Sequence, residues 1–234
     1  MSPRLVVVRD ERALARRAAE WLVERTRAAV AARGTCAVAL AGGGTPRATY
    51  EVLATSALAG AVPWGGVEWY FGDERAVPED DPESNYRMAR EALLAGRGEI
   101  VSRLHRMPAD APDPERAARE YARRLPDPLD VLLLGMGEDG HTASLFPGSP
   151  ALAERTERVA AVTGPRPPHR RMTVTPPVIE AAREVLVLVS GAAKAGTLAR
   201  VLEGPVDVPS LPVQLARGGT WIVDAAAAGG LAPR

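Results

Sequence analysis

The chain has 234 residues, of which 46% are hydrophobic, 25% charged and only 4% aromatic. Its 29 basic and 29 acidic side chains cancel, so no net field draws it to nucleic acid or to an anionic membrane, and a small anionic ligand would need a local cationic pocket. One cysteine, Cys36, excludes an internal disulfide, and no stretch approaches the ~20 apolar residues of a membrane span.

Residues 5–8 form a short apolar run, too brief for the core of a signal peptide and followed at once by Arg9-Asp10-Glu11-Arg12. They are expected to be a strand, and a cytoplasmic setting follows as the default. Asp10 can cap a helix over Glu11–Arg33 that Gly34 ends, with Leu14, Ala18, Trp21, Leu22 and Ala28 at helical spacing. Residues 37–41 are the next strand. Cys36 at its start reads as inert packing. Gly42-Gly43-Gly44 follows, and Thr45 with Pro46 suggests a helix N-cap, with the helix running to Leu58.

A strand over Val67–Phe71 leads into Gly72-Asp73-Glu74-Arg75 and a polar loop, and Ser84 can cap a helix over residues 85–95. A weak strand is expected over residues 103–107 and a helix with a solvated charged face over residues 114–125. Residues 131–134 are a continuous apolar run, as in a central parallel strand. A strand at Glu184–Val189 follows, with a helix after it through Leu202, and a strand at Thr220–Asp224 is expected to close the sheet. There is no internal repeat or low-complexity linker, and residues 1–234 read as one domain. Alternating strands and helices imply an α/β fold, Rossmann-like, with a mostly parallel sheet flanked by helices. Such sheets bind ligands beyond the carboxyl ends of their strands.

Three strand-end loops therefore carry the candidate chemistry. The first holds Gly43, Gly44 and Thr45 at the start of a helix, where backbone N–H groups can hold a phosphate. It is neither a dinucleotide fingerprint, since Arg47 takes the place of the third glycine, nor a Walker loop. Its bland reading is a tight turn. The second holds Asp73 and Arg75, an orienting carboxylate and an oxyanion-binding cation, or simply a surface charge cluster. The third runs Gly135-Met136-Gly137-Glu138-Asp139-Gly140-His141. Its glycines place His141 over the sheet end, and an imidazole can take and return a proton near neutrality. Either Asp139 or Asp73 could orient it.

His105 reads as structural, His169 among Pro167, Pro168, Arg170 and Arg171 is a weaker candidate than His141, and the scattered His and Cys positions show no zinc-ligand spacing. No cofactor or metal is called for. Lys194 is the only lysine among 29 basic residues, a compact cation suited to phosphate or a substrate oxygen. Arg166, Arg170 and Arg171 form a basic run able to close over a phosphate.

These pieces resemble the 6-phosphogluconolactonase family. They are Gly42-Gly43-Gly44-Thr45-Pro46; Asp73-Glu74-Arg75 with Val77-Pro78 and Ser84-Asn85-Tyr86; and the stretch from Gly137 through His141-Thr142-Ala143-Ser144-Leu145-Phe146-Pro147-Gly148. Arg166-Pro167-Pro168, Arg171-Met172-Thr173 and Gly191 with Lys194 follow in the family's order. The resemblance implies a fold shared with glucosamine-6-phosphate deaminases and similar to ribose-5-phosphate isomerases. It implies 6-phosphogluconolactone as substrate, in the oxidative pentose phosphate pathway. It also implies water activation by His141, support from Asp139, and substrate contacts from Arg75 and Lys194. The partner is then a small phosphorylated sugar lactone, with a monomer or small homo-oligomer as the working unit.

Two rivals remain at this stage. A sugar-phosphate deaminase or isomerase would use Asp73, but the deaminases carry a Glu five residues after the loop histidine, where this chain has Phe146. A non-catalytic sugar-phosphate sensor would need the glycine turn but no Asp139–His141 pair. A serine nucleophile at Ser144 lacks the usual elbow of glycines.

Overall fold

The computed structural model describes residues 3–55, 57–93 and 98–233. A first strand β1 (Arg4–Val8) precedes helix α1 (Glu11–Arg33). Asp10 caps α1 by accepting from Ala13 N at 2.7 Å, and Gly34 ends it with φ 80°, its N–H donating to Val30 O. That left-handed conformation suits glycine because it has no Cβ. Next come β2 (Cys36–Leu40), α2 (Gly44–Thr55), β3 (Val67–Phe71), β4 (Asp73–Arg75), α3 (Asn85–Leu93) and α4 (Pro114–Arg124). The remainder is β5 (Val131–Gly135), β6 (Val159–Thr163), β7 (Arg170–Val174), α5 (Pro176–Ala181), β8 (Glu184–Val189), α6 (Ala195–Glu203), β9 (Thr220–Asp224) and α7 (Ala225–Ala228).

The main sheet has six strands in the order β1-β9-β8-β5-β2-β3, and every pairing within it is parallel. Its central strands are nearly continuous runs of Val, Leu and Ala, buried along most of their length. That is the pattern of strands covered on both faces. From β2 the chain proceeds to β3 on one side, and from β5 to β8 on the other. The crevice between β2 and β5 is thus the point where the winding reverses, the usual place for a ligand in such sheets.

A second sheet, antiparallel and three-stranded in the order β4-β7-β6, caps the carboxyl side of β3. Gly72 joins the two sheets: its N–H donates to Leu40 O and its carbonyl accepts from Val174 N. Buried side chains of both sheets, such as Leu133 and Met172, belong to one apolar cluster. No described helix is long and apolar enough to cross a membrane.

Several local expectations are corrected. Helix α2 begins at Gly44, with Gly43 O accepting from Arg47 N. Thr45 therefore lies inside the first turn and is not the N-cap. The same helix stops at Thr55, and a 3-10 turn over Ala57–Ala61 follows instead of helix to Leu58. The expected end of α3 at Ala95 lies outside the described residues. The strand expected over residues 103–107 is only a bridge from Leu104 to Trp69, because the chain enters from a 3-10 turn ending at Arg103 and Pro108 supplies no N–H to continue a ladder. β9 does not close the sheet but lies between β8 and β1. Strands β4, β6 and β7 were not foreseen. Cys36 is fully buried, and burial with nearby Asp130 pushes its thiol up to about 12, which keeps it unreactive.

Candidate active site

Four neighbouring strands deliver residues to one cleft of about 250 Å³. β2 leads into residues 42–46, β3 into Asp73 and Arg75, β5 into residues 135–141, and β8 into the turn bearing Lys194. Strand β7 adds Arg171. A larger groove of about 1030 Å³ adjoins it, with Arg171 lining both. The larger groove lacks His141, Lys194 and the α2 turn, so the smaller cleft is where the chemistry converges.

The cleft floor is the start of α2. Gly43 adopts φ 98°, and the amides of Gly44 and Thr45 precede the first intrahelical bond, leaving donors and the positive helix end for an anion. Pro46 has no N–H to waste there. Gly42 is held small by its neighbour: a Cβ would lie 2.0 Å from Asn85 Oδ1.

The loop after β5 is tied down from several sides. Thr142 Oγ1 donates to Gly135 O at 2.8 Å, Thr197 Oγ1 to Glu138 O at 2.6 Å, and Val213 N to Gly140 O at 3.0 Å. Within it, His141 Nδ1 donates to Asp139 Oδ1 at 2.6 Å, and His141 N donates to the same oxygen at 3.1 Å. A carboxylate only accepts, so this pairing puts the proton on Nδ1 and leaves the Nε2 lone pair free. Burial opposes ionisation of Asp139, but the His141 donors outweigh it and hold the carboxyl below its ordinary value. Gly137 makes room for the pair, since a Cβ there would fall 2.1 Å from His141 Nδ1 and 2.6 Å from Asp139 Oδ1.

Asp73 is not the partner of His141. Its Oδ2 accepts from Ser144 Oγ at 2.7 Å, and Asn85 Nδ2 donates to its carbonyl at 3.0 Å and its Oδ1 at 3.3 Å. Ser144 is fully buried in that bond and is not placed as a nucleophile. Glu74, also buried, accepts from the backbone N–H groups of Arg75, Asn85 and Tyr86 and from Ser84 Oγ. It thereby locks β4 to the start of α3. Ser84 caps α3 as expected, accepting from Arg87 N at 3.2 Å.

The cations surround the cleft. Arg75 and Arg171 face each other directly across the antiparallel β4–β7 pair, an arrangement of like charges that is unfavourable by itself. Arg75 Nη1 donates to Glu83 O at 2.6 Å, while its buried Nε has no partner among the described residues. Burial, and then the Arg75 charge, lower the Arg171 guanidinium from its usual value. Burial likewise lowers Lys194, with Glu138, Asp224 and Glu11 pulling the other way. Lys194 sits in the 3-10 turn just before α6. Arg166 is exposed on the loop between β6 and β7 and does not line the cleft. Arg170 lines only the larger groove.

His105 and His169 are structural, the first 2.7 Å from Glu68 Oε2 and stacked on Tyr70, the second bonded to Gly164 O. No group of three or more His, Cys, Asp or Glu able to hold a metal occurs among the described residues. Asn85 was not singled out from the sequence as a site residue, yet it lines the cleft beside Asp73. Its place at the start of a helix after the Asp73 loop, within the family-like Ser84-Asn85-Tyr86 piece, is the signal that could have found it.

Fold and cleft together place the chain among α/β proteins that hold a small anionic ligand at the carboxyl edge of a parallel sheet. Comparison with known proteins narrows that class. Residues 9–223 match the family model of glucosamine-6-phosphate isomerases/6-phosphogluconolactonase, and the chain belongs to this family. It is 41% identical to the 6-phosphogluconolactonase of Mycobacterium tuberculosis, over 97% of this chain and 98% of that one. The solved 6-phosphogluconolactonase of Trypanosoma brucei superposes with a TM-score of 0.84 at 30% identity, covering 99% of each chain. A monomeric glucosamine-6-phosphate deaminase shares the fold, with a TM-score of 0.81 at 23% identity over 97% of this chain and 99% of that one.

Proposed function

We propose that this chain hydrolyses 6-phospho-D-glucono-1,5-lactone to 6-phosphogluconate, the second step of the oxidative pentose phosphate pathway, with His141 as the general base. The near full-length relatives that bear the name of this activity support the reaction. His141, held by Asp139 and lining a cleft with Arg75, Arg171 and Lys194, is the observation that carries the residue roles.

The phosphate docks on the amides of Gly43, Gly44 and Thr45, with Arg171 and Lys194 neutralising its charge. That anchor sets the lactone carbonyl beside His141. His141 Nε2 takes a proton from water as the water oxygen bonds to the carbonyl carbon. Asp139 keeps the imidazole in the required tautomer and stabilises it once charged. Arg75 holds the developing oxyanion. The ester C–O bond of the ring then breaks, and the proton passes from His141 to the departing ring oxygen. Asp73, bonded to Ser144 and Asn85, supports the cleft wall rather than the base. Arg166, exposed and outside the cleft lining, takes no part in these steps.

One apolar cluster running through both sheets supports residues 1–234 as a single domain. A buried, protonated Cys36 suits a reducing cytoplasm. The test is a rate measured on freshly made lactone and corrected for spontaneous opening. His141→Ala should lower the turnover number by ~10²–10⁴-fold with the fold retained. Undiminished turnover would refute the base. Ammonia release from glucosamine 6-phosphate would instead assign the chain to the family's other activity.

A further inference from the structure

The mechanism gives no task to Phe146, an aromatic ring left only half-buried beside the catalytic loop. Its ring centroid lies 4.7 Å from that of His141, tilted by 39°. On Phe146 also rests the guanidinium of Arg171, whose central carbon is 5.6 Å from the ring centroid. One side chain thus touches both the base and a phosphate-binding cation. Gly164 completes the arrangement: a Cβ there would come 2.9 Å from Arg171 Nε and 3.0 Å from Phe146 Cε2. Arg171 Nε in turn donates to Pro168 O at 3.0 Å, so the loop between β6 and β7 presses the guanidinium onto the ring.

We propose that Phe146 is a positioning residue that fixes the span between the His141 imidazole and the Arg171 guanidinium, and so selects a lactone with its phosphate at a set distance from its carbonyl. This rests on the base role assigned to His141 above. An aromatic ring suits the task physically. It is rigid, it packs against an imidazole in a tilted arrangement, and its face attracts a guanidinium. A carboxylate in its place would pair with Arg171 and draw it from the ligand. A branched aliphatic residue would fill some of the volume but hold neither group in orientation.

The test compares Phe146→Leu, Phe146→Tyr and His141→Ala on two probes, 6-phosphogluconolactone and unphosphorylated D-glucono-1,5-lactone. Phe146→Leu should lower kcat on the phosphorylated lactone about tenfold, since misplacement by a fraction of an ångström carries penalties of this order. The preference for the phosphorylated over the plain lactone in kcat/KM should fall by a similar factor. Phe146→Tyr should restore both to within about twofold, because it keeps the ring. Gly164→Ala, whose added methyl wedges Arg171 from Phe146, should reproduce the loss of preference and serves in place of Phe146→Leu should that variant not fold. A folded Phe146→Leu enzyme with wild-type kcat or wild-type preference overturns the inference, as does a Tyr variant as impaired as Leu. If His141→Ala is inactive in that case, the base role stands and only the positioning role is lost. If His141→Ala is fully active, the base role itself is wrong.

Discussion

Asp139 is where residue chemistry and stability meet. Its carboxyl is held below the ordinary value by His141 against the cost of burial. A group with a depressed folded-state pKa stabilises the protein at pH above its unfolded value, ~3.9 for Asp, and loses that contribution as pH falls through the folded value. Asp139 is 47% exposed in its side chain, so solvent screening keeps the effect small. Thermal melts of the wild type and of Asp139→Asn, stepped from neutral pH downward, should show a modest gap that closes below the ordinary carboxylate range. A gap that stays constant into acid would contradict the pairing. The Asp139–His141 pair was legible in the sequence because both partners sit in one glycine-rich loop, two residues apart. Asn85 and the task assigned to Phe146 were not, since each depends on neighbours far away in the chain, Asp73 and Gly42 for one and Arg171 and Gly164 for the other.

Among elements, the loop after β5 shows how backbone space becomes chemistry. Its bonds to Thr142, Thr197 and Val213 fix its path independently of the His141 side chain. Gly137→Ala would thrust a methyl into the Asp139–His141 pair while leaving those anchors intact. The expected outcome is a loss of turnover approaching that of His141→Ala, ~10²-fold or more, with a melting temperature close to wild type. An active Gly137→Ala enzyme would mean that the pair tolerates displacement. The parallel strands were legible because double-sided burial demands uninterrupted apolar runs such as those of β2, β5 and β8. The three-stranded sheet escaped notice for the opposite reason. β4 is Asp-Glu-Arg, which resembles a charged loop, and β6 is built mainly from small alanines and valines. The sequence points to a helix start at Pro46, two residues past the true start at Gly44, because Thr and Pro are common at helix starts, whereas the positive φ of Gly43 cannot be read from a run of three glycines.

For the whole molecule, the sheet is the scaffold that brings four strand ends together, so its core sets stability while the loops set activity. Leu133, fully buried in β5 and in register with Leu186 of β8, lies in the part of the sheet that carries the catalytic loop. Leu133→Ala should cost about 2–5 kcal/mol of unfolding free energy, measured as a lower urea midpoint. Turnover per folded molecule should stay near wild type at low temperature. Composition and strand alternation revealed the fold class, but not the order of strands, which depends on which apolar faces pack best in three dimensions.

That order has a bearing on how the chain acquires its shape. Among the described residues β1 pairs only with β9, so Arg4–Val8 has no sheet partner until residues 220–224 have been made. Until then Arg4–Val8 must wait with its backbone unpaired, and β8 presents an open edge to any passing strand. β9 thus fills a place between two segments made before it. Losing residues 220–224 would orphan Arg4–Val8 as well, so damage to one of these strands would be felt at the other.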